Sequence, residues 1–141
     1  MKSRKVEDGW LIRLEKGEPV IETLTGFAKE NHIPSGFITG MGAVTDATVG
    51  IYSPEKKEYI KQHFRCDLEV GNLTANIAWL EDSGEPFVHT HVVLADQSLR
   101  AITGHLFEAT VLVTLEIYIR VFNDKLIRKL DKKMGFKFWE L

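Results

Sequence analysis

Apolar residues recur with a period of two along most of the chain after Gly36, which is the spacing of β-strands and not of helices. Turn-forming residues interrupt this pattern at 53–57 and 81–85. Short turns join antiparallel neighbours. The pattern therefore predicts a largely antiparallel sheet, with strands at residues 37–41, 48–52, 59–64, 68–80, 87–95, 99–103 and 111–122.

The two ends of the chain add one helix and further strand-like segments. Residues 10–15 form a short apolar run, which predicts a strand. Pro19 fits the first position of a helix, and the apolar residues after it recur at helical spacing until a predicted end near His32. Residues 125–133 are highly charged and predict a helical turn or a loop, whereas residues 136–141 predict a terminal strand docked on the sheet. We therefore expect an α+β fold with one main helix.

Composition narrows the class of protein. The chain has 141 residues, 44% hydrophobic and 27% charged, as ordinary globular domains have, and we expect one domain over residues 1–141. Its net charge of −2 argues against holding nucleic acid by phosphate neutralisation alone. The apolar runs are too short for a membrane span, and the N-terminus lacks the features of a secretory signal, so we expect a cytoplasmic protein. Cys66 is the only cysteine, which excludes an intrachain disulfide and a cysteine-based zinc cluster.

The segment F-V-H-T-H-V-V-L places two histidines in an otherwise apolar strand. Strand alternation puts His89 and His91 on one face, and neutral imidazole is a common metal ligand. A third histidine, His105, follows the next turn. If the hairpin loop is 96–98, His105 lies opposite His89, and if the loop is 97–99, it lies opposite His91. Either three-residue loop brings the rings together, whereas a loop of two or four residues would turn His105 to the other face unless a bulge near Gly104 restored it. A metal or anion site is favoured over three structural histidines, and the sequence predicts a metal site at His89, His91 and His105.

Three histidines leave a fourth coordination position open, as in catalytic zinc sites, so the expected cofactor is a divalent metal, zinc. Glu69, Glu108 and Glu116 are the carboxylates that could supply a fourth ligand, a partner for a ligating histidine, or a general acid/base. In the alternative reading, Glu69 and Glu116 form buried pairs with arginines such as Arg65 or Arg120, and Glu108 faces water. The sequence alone does not choose between the two.

Five landmarks run along nearly the whole chain: the K-G-E entry to the helix, S-G-F-I-T-G-M-G-A-V, D-L-E-V-G-N-L-T-A-N, F-V-H-T-H-V-V-L-A-D and G-H-L. Together they resemble the plant and prokaryote conserved (PPC) domain, also called domain of unknown function 296. The resemblance implies an α+β fold similar to that of acetolactate decarboxylase, a zinc lyase with an H-x-H pair and a more distant histidine. It also implies a homotrimer with the histidines near a subunit boundary. Family members often have Gly-Gly before the third histidine, where this chain has Thr103-Gly104.

Three functions are compatible with these features, ranked from first to third. The first is a trimeric metal-binding domain that serves assembly or small-ligand binding. The second is a metal-dependent, lyase-like enzyme in which the ion polarises a small oxo or hydroxy acid. The third is a DNA-associated regulator. Plant members follow AT-hook peptides, and no R-G-R-P-like hook occurs in this sequence, so nucleic acid is not an expected partner of the isolated chain.

Overall fold

Nine strands and one helix make up the computed structural model, which describes residues 1–141. The helix, α1, spans Val20–Glu30 and lacks the length and apolar character that a membrane span needs. The strands are β1 (Lys2–Val6), β2 (Gly9–Glu15), β3 (Ser35–Ser53), β4 (Glu58–Phe64), β5 (Leu68–Leu80), β6 (Pro86–Ala95), β7 (Ala101–Phe122), β8 (Ile127–Asp131) and β9 (Phe136–Trp139). The predicted α+β class, a largely antiparallel sheet with one helix, is confirmed.

The two longest strands, β3 and β7, pair with each other and organise the sheet. On one side, β7 pairs with β2, which pairs with the edge strand β1. On the other side, β5 pairs with β3, and β6 pairs with both β5 and β7. These pairings join β3, β5, β6 and β7 in a closed ring. Because His105 pairs with Gly50 of β3 and with His91 of β6, it lies at the junction of three strands of that ring.

Apolar side chains fill the space between the sheet and the helix. The helix packs against β6 and β7. The buried residues of the helix are Val20, Leu24, Phe27 and Ala28. Their spacing of three and four residues places them on one face of the helix. The largest fully buried side chains of the strands include Leu14, Ile38, Leu73, Ile77, Leu94, Leu115 and Ile119. This core covers the inner face of β6 and β7. The histidines lie on the opposite face of these two strands.

Two strands are longer than the sequence predicts. The predicted strands 37–41 and 48–52 are both parts of β3, and 99–103 and 111–122 fall mostly within β7. The register between β3 and β7 shifts at three places. Such shifts are β-bulges, which bend a strand and disturb its alternation without ending it. The breaks in the apolar pattern that resemble turns are therefore bulges.

The ends of the chain also differ from prediction. Residues 125–133, predicted as a helical turn or a loop, contain β8, which pairs in parallel with β5 and antiparallel with β9. β9 confirms a terminal strand within 136–141. β1 was not predicted, because it is an exposed edge strand of mostly charged and polar residues without apolar alternation. Pro19 is the residue before the helix and not its first residue.

Candidate metal centre

The hairpin between β6 and β7 sets the relative position of the histidines. The Asp96 N–H donates to the Arg100 carbonyl at 3.2 Å and closes a three-residue loop, 97–99. This is the second of the two three-residue loops considered from the sequence, and it places His91 directly opposite His105. The counting argument therefore predicted the shared face correctly.

The imidazoles converge on the face of the hairpin that points away from the core. Val88 and Thr90 are buried, so alternation turns His89 and His91 to the other side. The ring centroids of the three histidines lie 5.0 to 5.5 Å apart. One potential ligand nitrogen from each of His89, His91 and His105 lies within 4.8 Å of the others. The three side chains are therefore close enough together to be candidate ligands of one ion.

Electrostatics keeps two of these rings neutral. Burial, aided by the Arg128 guanidinium, lowers the pKa of His89 from 6.5 to about 4. Burial, aided by His91 and Lys61, lowers the pKa of His105 to about 4. At pH 7 both rings are therefore neutral, and the neutral imidazole is the form that can bind a metal.

His105 carries a further sign of a missing partner. Its ring lies between Phe107 and Tyr59, with centroid distances of 4.6 and 5.2 Å. Its Nδ1 is buried and has no hydrogen-bond partner. Such atoms are uncommon, since burying a polar group without a partner costs free energy. An ion bound at Nδ1 would give this atom a partner, and a donor set of three imidazoles fits zinc or a similar metal.

Arg128 of β8 contacts the histidine cluster, and the sequence did not predict it. Its Nη2 lies 3.2 Å from His89 Nδ1 and donates to Asn76 Oδ1 at 2.9 Å. Its Nη1 donates to the Lys137 carbonyl at 2.9 Å. Arg128 was missed because the charge of 125–133 hid β8. One signal could have revealed β8: the predicted terminal strand needs a neighbouring strand, and a turn at Gly135 would place an antiparallel partner just before it.

The charge of Arg128 has no anionic partner. The residue is only 8% exposed, and burial lowers its pKa. Its Cζ lies 5.3 Å from the Phe87 ring centroid and 5.8 Å from that of Trp139, which gives partial stabilisation through cation–π contacts. None of the ion pairs of the structure includes Arg128. The site is therefore locally electropositive.

A shallow cavity of about 420 Å³, wide open to solvent, lies beside the cluster. Its lining consists of Asn76, His89, Arg128, Phe138 and Trp139. One histidine of the cluster and the guanidinium therefore face the same space, where a bound molecule can reach both.

None of the three candidate carboxylates joins the cluster, which contains histidines alone. Glu69 and Glu116 are exposed and form no ion pair with Arg65 or Arg120, so the predicted buried pairs are wrong. Glu108 lies elsewhere on β7, where its Oε1 accepts a hydrogen bond from Thr48 at 2.7 Å. The predicted role of a carboxylate at the metal site is therefore not supported, because strand register sends these side chains elsewhere.

Fold and site together define a class of protein: an antiparallel α+β domain with metal-ligand side chains at the edge of a cavity. The chain belongs to the Plants and Prokaryotes Conserved (PCC) domain family, whose profile matches residues 1–123. The family resemblance seen in the sequence is thereby confirmed.

Several solved structures are similar to nearly the whole chain. A plant- and prokaryote-conserved protein from Pyrococcus horikoshii is 30% identical with a TM-score of 0.86, over 99% of this chain and 94% of that one. A metal-containing protein from Archaeoglobus fulgidus is 31% identical with a TM-score of 0.85, over 97% and 96%. A suggested DNA-binding protein from Ralstonia eutropha JMP134 is 31% identical with a TM-score of 0.89, over 99% and 96%. No curated protein shows significant sequence similarity to the chain.

Proposed function

We propose that this chain is a divalent metal-binding PPC protein in which His89, His91 and His105 hold one zinc ion and the adjacent cavity takes a small ligand. The observation that carries the proposal is the convergence of the three imidazoles within 4.8 Å. The similar protein from Archaeoglobus fulgidus is described as metal-containing, which supports the same assignment for this chain.

The composition of the cluster favours an open site over a closed structural one. Structural zinc sites have four protein ligands, whereas this cluster offers three imidazoles and neither a carboxylate nor a thiolate. Cys66, the only cysteine, is exposed and lies outside the cluster. A fourth position is therefore left for water or a ligand that enters from the cavity.

Exposed apolar side chains support the further proposal that the chain forms a homotrimer with the site near a subunit boundary. Ile51 and Ile60 pair across β3 and β4 and are 61% and 49% exposed. Met41 and Val113 are 63% and 66% exposed. Covering such surface is a common basis for closed oligomers. Light scattering at micromolar concentration should give three times the mass of one chain, and the mass of a monomer would contradict the trimer.

A lyase-like activity on a small oxo or hydroxy acid is the second candidate, and Arg128 is the observation that favours it. A bound ion would polarise a carbonyl or carboxylate oxygen, and a neighbouring guanidinium could hold the acid group. It ranks second because the cavity contains no side chain positioned as a nucleophile and no carboxylate positioned as a base.

Elemental analysis of the purified full chain tests the proposal. We expect about one zinc ion per chain, removable by a chelator and restored by added zinc. His105→Gln should lose most of this metal, whereas His32→Asn, outside the cluster, should keep all of it. Circular dichroism would establish that both variants are folded. Full metal content in folded His105→Gln would refute the assignment of the site.

A further inference from the structure

We propose that Arg128 is the ligand-binding cation of the cavity, that it becomes free for a ligand when His89 binds the ion, and that the ligand is a small organic carboxylate. This inference rests on the proposed metal site. It goes further by assigning a ligand class and an order of binding, which follow from the contacts of one guanidinium.

The first step concerns the proton of His89. A guanidinium has donors only, so its Nη2 must donate to the Nδ1 that lies 3.2 Å away. The Nδ1 lone pair is then occupied, and in the neutral ring the proton sits on Nε2. In the metal-free protein, therefore, neither nitrogen of His89 is free to act as a ligand.

The second step is a competition between Arg128 and the ion. If Nδ1 of His89 were the ligand atom, its lone pair would no longer be available to Arg128. If Nε2 were the ligand atom, the ring proton would lie on Nδ1, which could then no longer accept from Arg128. Either way the hydrogen bond between the two side chains would be lost. Arg128 keeps its bonds to Asn76 and Lys137, which hold the guanidinium beside the cavity with a released donor.

The third step is the charge that this donor requires. The current acceptors of Arg128 are an amide oxygen, a carbonyl oxygen and an imidazole nitrogen, all of them neutral. A guanidinium that is more than nine-tenths buried without a counter-ion is costly. The bound ion would add further positive charge. An anion in the cavity would offset the positive charge of the guanidinium and that of the ion. A carboxylate is the anion whose two oxygens match the planar donors of arginine.

The walls of the cavity indicate the rest of the ligand. Phe138 and Trp139 line it together with Asn76, and the volume is about 420 Å³. Aromatic walls favour a flat apolar body, while Asn76, His89 and Arg128 supply the polar groups of the lining. We therefore infer a small carboxylic acid with an apolar or aromatic body, bound more tightly when the ion is present.

Calorimetric titration of the full chain with benzoate, with and without zinc, tests this inference, and benzamide is the uncharged control of equal shape. Zinc content is measured first, so absence of zinc would refute the proposed metal site before any ligand is added. With zinc bound, we expect benzoate to bind at least about tenfold more tightly than to the metal-free chain, and benzamide to bind only weakly. Equal benzoate affinity with and without zinc would overturn the inference, as would stronger binding of inorganic phosphate than of benzoate.

Variants separate the role of Arg128 from that of the metal. Folded Arg128→Gln should bind zinc at least as well as the natural chain, because a competitor is gone, yet lose benzoate affinity about tenfold or more. Lys125→Gln is the matched control, since Lys125 lies 4.3 Å over the Trp79 ring and does not line the cavity. If Arg128→Gln does not fold, Arg128→Lys must still weaken benzoate binding. Loss of zinc from folded Arg128→Gln, or unchanged benzoate binding in either variant, would overturn the proposal.

Discussion

At the scale of single residues, two glycines let the strand of His105 approach its neighbours. A Cβ on Gly104 would lie 2.7 Å from the Gly50 carbonyl oxygen, and one on Gly50 would lie 2.9 Å from Phe107. The preceding residue, Thr103, has a side chain that the structure accommodates, since its hydroxyl donates a hydrogen bond to the Val92 carbonyl at 2.9 Å. Position 104 therefore requires a glycine. Position 103, where family members often have a second glycine, does not.

Gly104→Ala should destabilise the protein and weaken metal binding. The added methyl group meets backbone atoms that cannot move without separating β7 from β3, which should cost about 1–3 kcal/mol. Urea unfolding and zinc titration measure the two effects. Gly71→Ala is the control, because its Cβ would meet only the Val93 carbonyl oxygen at 3.7 Å. Equal stability of the two variants would show that the strands are not so closely packed.

The stability of the metal-free chain should fall as the pH is lowered from about 6.5 to about 4. His89 and His105 have a pKa of about 4 in the folded protein and the ordinary value of 6.5 when unfolded. Between these values the unfolded chain binds more protons, so acid favours unfolding; above 6.5 the two states bind equally and the dependence disappears. Urea unfolding at several pH values measures this. A His105→Gln variant should show a shallower dependence, and an unchanged slope would contradict the low pKa.

At the scale of elements, the sequence predicted strands well where true turns separate them. The bounds of β5 were predicted correctly because polar turns flank it. The bulges within β3 and β7 were read as breaks, since a bulge disturbs alternation just as a turn does. β8 was hidden by charged residues, and with it Arg128, whose burial depends on pairing with strands distant in sequence. The histidine face was predictable because it depends only on local alternation and one loop length.

Leu99→Gly should stabilise the hairpin that carries the site. Leu99 has a φ of 60° and its side chain is 87% exposed, so it occupies the left-handed region without compensating burial. Glycine relieves this strain but loses more chain entropy on folding than leucine does. The net effect should raise the free energy of unfolding, measured with urea, by roughly 0.5–1 kcal/mol. Leu99→Val should instead lower stability, because β-branched residues tolerate this conformation least. A loss of stability in Leu99→Gly would mean that the leucine side chain packs against something.

At the scale of the whole molecule, the fold places one histidine of the cluster, His89, beside Arg128 and the C-terminal aromatic residues around one cavity. Three separate parts of the chain, β5, β6 and the β8–β9 hairpin, meet there. The chain as a whole is nearly balanced in charge, with 18 basic and 20 acidic residues. A cytoplasmic location and the trimer stay predictions.

The isolated chain should not bind duplex DNA appreciably at physiological salt. Non-specific DNA affinity comes from phosphate contacts by clustered Lys and Arg, and the net charge of this chain is −2. Fluorescence anisotropy with a labelled AT-rich duplex at about 150 mM salt measures this. Tight binding that weakens steeply with added salt would contradict the expectation and favour the role suggested for the similar Ralstonia eutropha protein.

X-ray absorption spectroscopy of the zinc-loaded chain reports the atoms that surround the ion and so tests whether the three histidines bind it. We expect a shell of nitrogen and oxygen ligands at about 2.0–2.1 Å that includes the scattering pattern of three imidazoles, with no sulfur. In the His105→Gln variant the imidazole contribution should fall or the ion should be lost. A shell with one imidazole or none, or a spectrum that is the same in the variant, would show that the ion is bound elsewhere.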